Sequence, residues 1–277
     1  MTLQQKIERF YELPHDGIPR DEAMQAIEEL KVSLNLGDVR AADNSGGVWK
    51  VNEWVKKGIL LAFRIGELNE QSENDIFQFF DKDTMGVRQF SVSHGVRIVP
   101  GGTVVRDGAY VASGVVMMPP SYINIGAYVD EHAMIDSHVL VGSCAQIGKR
   151  VHCSAAAQIG GVLEPVRSMP VIIEDDVFIG GNAGIYEGTI VMKQAVIAAG
   201  VILTRSTPVY DLVHKKIYRG GEGMPLTIPE NAVVVAGARA LQDHFAREHS
   251  ISIYTPVIIK YRDEKTKSSV TLENNLR

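Results

Sequence analysis

The chain has 277 residues, of which 45% are hydrophobic and 22% are charged, and these values are typical of a globular protein. Its formal net charge of -5 disfavours the basic surface of a nucleic-acid-binding protein. No apolar run is long enough for a transmembrane helix, and the amphipathic N-terminus differs from a signal peptide, so we expect a cytoplasmic protein without a membrane partner.

The N-terminal third, residues 1–94, is predicted to be a mainly helical domain. Apolar residues recur at helical spacing in three stretches, 3–11, 21–37 and 51–65. The second stretch begins with two acidic residues and ends at a glycine, which are common signals for the start and end of a helix. We expect three aromatic residues to dock this domain onto the next one: Phe77, Phe79 and Phe80.

A six-residue repeat follows. An apolar residue occupies every sixth position from Val99 to Ile159, and the series resumes from Ile173 to Leu203. A parallel column of mostly small residues stands four positions after each member. Such columns are typical of a hexapeptide-repeat parallel β-helix, in which three short strands complete one coil. We therefore predict a mainly-β protein with a parallel β-helix over residues 95–205.

Two features of the repeat bear on where a site can lie. Two inward columns fill the interior of the coil, so a small-molecule site must lie on its outside. The step from Ile159 to Ile173 takes fourteen residues, which is two more than two hexapeptides or eight more than one. An inserted loop at about 160–170 is therefore predicted, and loops inserted into rigid scaffolds are often functional.

The C-terminal segment, residues 206–277, is predicted to end the coil and cap it with β structure. Strand patterns cover residues 229–236 and 251–261, and residues 265–267 are expected to turn into a last strand. Capping would protect the open end of the coil from pairing with other chains.

Several strings in the sequence are specific. VGSCAQIG at 141–148 and IGGVLEP at 159–165 stand beside YINIGAYVDE at 122–131, with VWKVNEWVKKGILLAFR at 48–64 and VIIKY at 257–261. Together they resemble the tetrahydrodipicolinate N-succinyltransferase family, of diaminopimelate and lysine biosynthesis. The resemblance implies a left-handed β-helix, a homotrimer with sites between subunits, and succinyl transfer from succinyl-CoA to the amino group of the ring-opened substrate, 2-amino-6-oxopimelate.

The resemblance also implies roles for individual residues. Arg97 matches the substrate-binding arginine, although counting in sixes places it in the column of small residues. Asp136 follows the inward Ile135, so it should point outward, and it matches the aspartate that binds the substrate amine and is a candidate catalytic base. Glu187 is a retained acidic residue and a second catalytic candidate.

The chain departs from the family pattern at two positions. Gly184 stands where family members have a glutamate, and Pro208 stands where an arginine is expected. Arg205 is a candidate substitute for that arginine. Both departures concern the choice of acyl donor, so acetyl-CoA remains an alternative to succinyl-CoA.

Coenzyme A is expected to lie in the groove between two prisms. Ser154, Ala156 and Gly161 are candidates to contact it because small residues let the pantetheine arm approach the backbone, and Arg205 is a fourth candidate. Tight packing between subunits explains the small residues equally well. We expect no metal and no tightly bound cofactor.

Three alternatives remain open. The chain could be an N-acetyltransferase on the same or another amino acid, a non-catalytic hexapeptide scaffold, or a prism-type zinc enzyme. The zinc interpretation lacks the required histidine spacing on the prism, because His244 and His249 are five apart but fall beyond the repeats. His152, next to the apolar Cys153 and expected to point outward near the inserted loop, is a candidate catalytic or CoA-contacting group.

Overall fold

The computed structural model describes residues 1–72 and 77–262, so the turn predicted at 265–267 lies outside the described residues. Three helices form the N-terminal part: α1 (Leu3–Glu12), α2 (Arg20–Leu36) and α3 (Glu53–Ile65). The three predicted helical stretches are thus confirmed. Gly37 ends α2 with a φ of 77°, a left-handed conformation that glycine adopts without steric cost. No described helix is long and apolar enough to cross a membrane.

Short strands accompany these helices. β1 (Ala42–Asp43) pairs with β2 (Lys50–Val51), and β3 (Leu68–Glu70) pairs with β4 (Phe80–Lys82), both antiparallel. Single turns of 3-10 helix lie at His15–Gly17 and Val92–His94. The prediction that three phenylalanines dock the helical part is wrong, because their exposed fractions are 63%, 59% and 62% for Phe77, Phe79 and Phe80, in that order.

Docking instead uses the buried faces of the helices. Ile125 and Cys144, from turns of the repeat region, pack inside the same apolar cluster as Ile59 of α3. The Lys31 ammonium of α2 lies 3.0 Å from the Asp107 carboxylate, and its side chain is almost fully buried. The helical part and the repeat region therefore share an apolar core.

The repeat region contains seventeen short strands, confirming the predicted parallel β-helix, which is left-handed. In chain order they are β5 (Arg97–Ile98), β6 (Val104–Val105), β7 (Tyr110–Val111), β8 (Val116–Met117), β9 (Tyr122–Ile123), β10 (Tyr128–Val129), β11 (Met134–Ile135), β12 (Leu140–Val141), β13 (Gln146–Ile147), β14 (His152–Cys153), β15 (Gln158–Ile159), β16 (Ile172–Ile173), β17 (Phe178–Ile179), β18 (Gly184–Ile185), β19 (Ile190–Val191), β20 (Val196–Ile197) and β21 (Ile202–Leu203).

These strands form the three faces of a prism. Face A begins with β5, β8 and β11, face B with β6, β9 and β12, and face C with β7, β10 and β13. The chain turns from face A to face B at one edge, which we call the A/B edge, and from face B to face C at the B/C edge. Any site on the prism is therefore described by its face or edge.

The strand register shows the length of a coil. Met134 pairs with His152 and Leu140 with Gln158, and each partner lies three hexapeptides further along the chain, as the repeat predicts. Across the insertion, Gln146 pairs with Ile172, which lies further away than three hexapeptides. The excess is eight residues, which is also the number by which the step from Ile159 to Ile173 exceeds one hexapeptide. The loop is therefore inserted within a single hexapeptide step, between β15 and β16, and leaves the prism at the B/C edge.

Both predicted inward columns are buried. The large residues include Ile123, Ile135 and Ile147, each with 0% exposure, and the small residues between them are equally hidden. Burying one such aliphatic side chain contributes about 1.5–3 kcal/mol. The repeated burial along the axis is what holds the coils together.

Most turns of the prism have left-handed backbone at one position in six, with Pro120 as an exception. Glycine occupies this position early in the repeat, with φ values of 93°, 84°, 78° and 76° at Gly102, Gly108, Gly114 and Gly126. Further along, non-glycine residues adopt the same conformation, including His132, His138 and Ala156. The turn geometry therefore belongs to the fold and does not depend on glycine alone.

The first coil has a different register from the one predicted. Arg97 pairs with Val116, and Ile98 pairs with the inward Met117, which is one position further away than three hexapeptides. The additional residue is accommodated near Gly101, whose φ is 142°. The placement of Arg97 in the small-residue column is therefore wrong: it pairs with a residue of the outward column of face A, and Val99 does not belong to the inward column.

The C-terminal part ends the coil. It contains β22 (Val209–Asp211), β23 (Lys216–Tyr218), β24 (Thr227–Ile228), β25 (Ala232–Ala240), α4 (His244–Glu248) and β26 (Ser252–Tyr261). β24 extends face C, while β25 extends face A and forms an antiparallel hairpin with β26. Strands are present where the patterns at 229–236 and 251–261 predicted them, whereas the division of the chain into domains at 1–94, 95–205 and 206–277 stays a prediction.

Candidate active site

Asp136 lies at the A/B edge, immediately after β11. Its backbone N–H donates to the Cys153 carbonyl at 3.0 Å, and its Oδ1 accepts from the Ser137 N–H at 2.7 Å. The side chain is half-buried, and no described cation lies within ion-pair distance of it. The carboxylate is therefore held in one orientation by a backbone amide without being neutralised, as a proton acceptor requires.

Ser154 and Ala156 lie one coil further along the same edge. Ser154 stands three hexapeptides after Asp136, and the Ala156 N–H donates to the Ser137 carbonyl at 2.8 Å. Ala156 has a φ of 59°, so it occupies the left-handed turn position. Gly180 and Gly181, which the sequence analysis did not single out, continue this line of small residues in the next coil. A line of small residues therefore runs along the A/B edge.

Arg97 stands on face A at the open end of the prism and is exposed. Strand β5 pairs with β8, which pairs with β11, so Arg97 and Asp136 are two strand spacings apart along the axis, or about 10 Å. A short molecule with a carboxylate at one end and an ammonium at the other could contact both side chains.

The other predicted residues gather at the B/C edge. Gly161, Glu187 and Arg205 line one cavity of about 540 Å³, whose remaining lining residues are Gly160, Val162, Glu164, Pro165, Ser168, Tyr186 and Thr204. The inserted loop forms one wall of this cavity. Pro208, the second departure from the family pattern, is not among these residues. Arg205 is therefore the cation that this cavity presents.

Glu187 is fixed by its backbone and by Arg205. It has a φ of 53°, and its Oε2 accepts from the Arg205 N–H at 3.1 Å. The adjacent Gly188 lies under the loop, since a Cβ at this position would come within 2.3 Å of the Met169 carbonyl oxygen. The Glu187 carboxylate thus faces the cavity from a turn that the loop covers.

A buried lysine anchors the loop. Lys56 of α3 has 0% exposure, and its Nζ donates to the Ser168 carbonyl at 2.5 Å. Burial lowers the pKa of Lys56. The sequence analysis missed this residue, although a lysine beside the apolar Val55 in a predicted helix was a detectable signal. The helical part therefore contributes directly to the shape of the candidate site.

Tyr186 was also missed by the sequence analysis. Its ring lies against Gly184, where a Cβ would come within 2.4 Å of the Cε2 atom and 2.8 Å of the hydroxyl oxygen. The Tyr186 ring therefore occupies the space that a side chain at position 184 would fill.

His152 and the two cysteines lie in the interior or on face A and add no reactive group to the candidate site. His152 is 8% exposed, and its ring lies edge-to-face on Phe178 on face A, with centroids 5.2 Å apart. It is therefore not near the inserted loop, contrary to the prediction, because the loop leaves from the B/C edge. Burial raises the pKa of both Cys144 and Cys153 to about 12, so neither thiol is a nucleophile at neutral pH. Within residues 1–72 and 77–262, no three His, Cys, Asp or Glu side chains form a cluster suited to a metal ion.

The prism, its inserted loop and the polar residues on its edges define a hexapeptide-repeat transferase. The family model described as tetrahydrodipicolinate N-succinyltransferase N-terminal matches residues 2–65, and the hexapeptide repeat of succinyl-transferase matches residues 170–205.

Full-length relatives identify the family. A 2,3,4,5-tetrahydropyridine-2,6-dicarboxylate N-succinyltransferase from Legionella pneumophila is 44% identical, covering 100% of this chain and 98% of the relative. Proteins with the same name from Pectobacterium atrosepticum and Dechloromonas aromatica are 42% and 40% identical, covering 99% and 100% of this chain and 98% and 97% of the relatives, respectively. The chain belongs to the 2,3,4,5-tetrahydropyridine-2,6-dicarboxylate N-succinyltransferase family, which confirms the resemblance seen in the sequence.

Proposed function

We propose that this protein transfers a succinyl group from succinyl-CoA to the amino group of ring-opened tetrahydropyridine-2,6-dicarboxylate, a step of diaminopimelate and lysine biosynthesis. The observation that carries the proposal is the 44% identity, over the full length of the chain, to a relative named for this reaction. The polar residues at the two edges of the prism supply groups that fit the chemistry.

The reaction needs a base, a cation that binds a substrate carboxylate, and an electrophile. Asp136 would accept the proton of the substrate ammonium, and Arg97 would hold a substrate carboxylate through its guanidinium. The freed nitrogen attacks the thioester carbonyl carbon, a C–N bond forms, the C–S bond breaks, and coenzyme A leaves as the thiol. Glu187, the second catalytic candidate, would face this centre from the B/C edge.

A homotrimer would unite the two edges. Asp136, Ser154 and Ala156 lie at the A/B edge, whereas Gly161, Glu187 and Arg205 lie at the B/C edge, so one prism alone does not bring them together. If the A/B edge of one copy faces the B/C edge of the next, each of the three interfaces contains all six of these residues. Closed cyclic symmetry permits this head-to-tail arrangement.

The shared site can be tested by complementation. Asp136→Asn and Glu187→Gln homotrimers should both be nearly inactive, and refolding their equimolar mixture should restore activity to about a quarter of the wild-type value, since a quarter of the interfaces pair two intact edges. Recovery of no activity would place both residues in a site within one chain. Light scattering of the unmixed protein gives the subunit number independently.

Succinyl-CoA is proposed to lie in the groove between two edges. Ser154, Ala156 and Gly161 would let the pantetheine arm approach the backbone, and Arg205 would contribute a positive charge.

Since the cysteines are buried and unpaired, as expected for reduced thiols, we also infer a cytoplasmic location, which cell fractionation would test.

A thiol-release assay tests the reaction itself. Wild-type protein is incubated with succinyl-CoA or acetyl-CoA, each with and without the cyclic dicarboxylate. The proposal requires release that depends on the dicarboxylate and is faster with succinyl-CoA. Equal rates with both thioesters would replace the succinyl assignment with a general acyltransferase, and a higher rate with acetyl-CoA would favour the N-acetyltransferase alternative.

A further inference from the structure

The ring of Tyr186 lies across two glycines on face B. Gly184 belongs to β18, which pairs with β15, and the Gly160 N–H directly after β15 donates to the Ile185 carbonyl at 2.8 Å. A Cβ on Gly160 would come within 2.8 Å of the Tyr186 Cδ1 atom, and one on Gly184 would come within 2.4 Å of its Cε2 atom. Both glycines are therefore needed for the ring to occupy its present position.

The Tyr186 side chain contributes to the wall of the cavity, and its hydroxyl lies over Gly184. Tyr186 is half-buried and lines the cavity at the B/C edge. Its backbone is fixed, because its N–H donates to the Leu203 carbonyl at 2.9 Å and its carbonyl accepts from the Thr189 hydroxyl at 2.8 Å. Among the described residues, none makes a hydrogen bond to the phenol hydroxyl. The group is held in place and is available to a ligand.

The Arg205 guanidinium is also available. Arg205 lines the same cavity, and its guanidinium makes no ion pair with any carboxylate in the described ranges. Arg167 lines the adjoining cavity of about 600 Å³, again without an ion pair among these residues. The carboxylates that line the two cavities are Glu164, Glu187 and Glu222, and one Glu187 oxygen already accepts from the Arg205 backbone N–H.

We propose that the Tyr186 hydroxyl, together with the Arg205 guanidinium, binds the terminal carboxylate of the acyl group and thereby selects a dicarboxylic acyl donor. An arginine and a phenol both donate hydrogen bonds to a carboxylate, whereas neither can donate one to the methyl group of an acetyl donor. The inference rests on the proposed function. It assigns the carboxylate to the donor because the candidate groups for the acceptor, Arg97 and Asp136, lie on face A and at the A/B edge.

Tyr186→Phe is the direct test, since it keeps the ring on both glycines and removes only the hydroxyl. Binding of succinyl-CoA and acetyl-CoA is measured by calorimetry without the acceptor. We expect the affinity for succinyl-CoA to fall about tenfold or more, the scale of a hydrogen bond to a charged group, with the affinity for acetyl-CoA almost unchanged. The ratio of kcat/KM values for the two donors should fall by the same factor.

Two further variants control this test. Tyr11→Phe, on α1, removes a phenol hydroxyl far from the cavity and should leave the donor preference unchanged. Gly184→Ala should displace the ring and reproduce the loss seen in Tyr186→Phe, and thermal melting would verify that both variants are folded. If Gly184→Ala unfolds, the Tyr186→Phe result still decides the question.

The outcomes separate this inference from the proposed function. If the wild-type protein prefers succinyl-CoA and Tyr186→Phe keeps that preference, or loses both donors equally, the role of Tyr186 is wrong while the proposed function stands. If Tyr186→Phe raises only the KM for the acceptor, the hydroxyl binds the other substrate, and the inference is again wrong. Failure of the wild-type protein to bind either thioester would overturn both proposals.

Discussion

At the scale of single residues, Asp136 illustrates how the repeat orients a functional group. Residue 135 must point inward because it belongs to the buried column, and the next residue on a strand points to the opposite side. The amide of Ser137 then holds one carboxylate oxygen at 2.7 Å. The fold thus directs the carboxylate outward and fixes its orientation without neutralising its charge.

Replacing this carboxylate should affect the chemical step. Asp136→Asn keeps the shape and the contact to the Ser137 amide but cannot accept the substrate proton, so we expect kcat to fall by about 10²-fold or more. Steady-state kinetics with saturating succinyl-CoA would measure the loss. Asp130→Asn, at the equivalent position after a strand of face C, is a matched control that should retain activity. An Asp136→Asn variant with normal kcat would transfer the role of base to Glu187.

The two cysteines give a prediction about pH. Burial raises the pKa of each thiol to about 12, so the folded protein retains these protons at a pH where the unfolded chain, with a thiol pKa of about 8.5, loses them. The thiols therefore stabilise the fold fully at a pH below their unfolded pKa. Their contribution to the free energy of unfolding declines as the pH rises from the unfolded pKa toward the folded pKa. Urea unfolding at pH 7.5 and 10 should therefore show a lower free energy of unfolding at pH 10.

A matched variant makes this measurement specific. Cys153→Ala should reduce the dependence of the unfolding free energy on pH over this range, at the expense of some stability at pH 7.5. An unchanged pH dependence in the variant would show that other groups cause it.

At the scale of elements, much of the prism was predictable from the sequence, because every sixth side chain enters a closed core and must be apolar. The helices of the N-terminal part were predictable for a similar reason. The register of the first coil was not, because an additional residue near Gly101 leaves the apolar pattern intact while displacing Arg97 by one position. Tyr186 and Lys56 escaped prediction since their roles depend on neighbours distant in sequence, namely Gly160 and Ser168.

The inserted loop provides a prediction about Lys56. Lys56→Met keeps an apolar stem of similar length but removes the donor to the Ser168 carbonyl, so the loop should open more often. We expect faster amide hydrogen exchange within residues 162–169 and a higher KM for the thioester. Lys57→Met, at the neighbouring position of α3, is the control. Equal exchange in both variants and the wild-type protein would show that the loop is held by other contacts.

At the scale of the whole molecule, the shared core predicts cooperative behaviour. Ile125 is a turn residue of the prism that is 1% exposed inside the helical core. Ile125→Ala should therefore cost about 2–5 kcal/mol and shift the loss of the helical and of the β-sheet circular dichroism signals together. Ile202→Ala, at a residue that is 37% exposed, should cost much less. A β-sheet signal with an unchanged midpoint would mean that the two parts unfold independently.

The contact between Tyr186 and its two glycines has a consequence for the order in which substitutions can accumulate. A side chain at position 184 and the present ring orientation of Tyr186 exclude each other, because a Cβ would lie only 2.4 Å from the ring. A lineage starting from a larger residue at 184 must therefore acquire glycine before, or together with, this placement of the tyrosine. In the reverse direction, a side chain at position 160 or 184 requires that the tyrosine ring move or be replaced, so positions 160, 184 and 186 form an epistatic set.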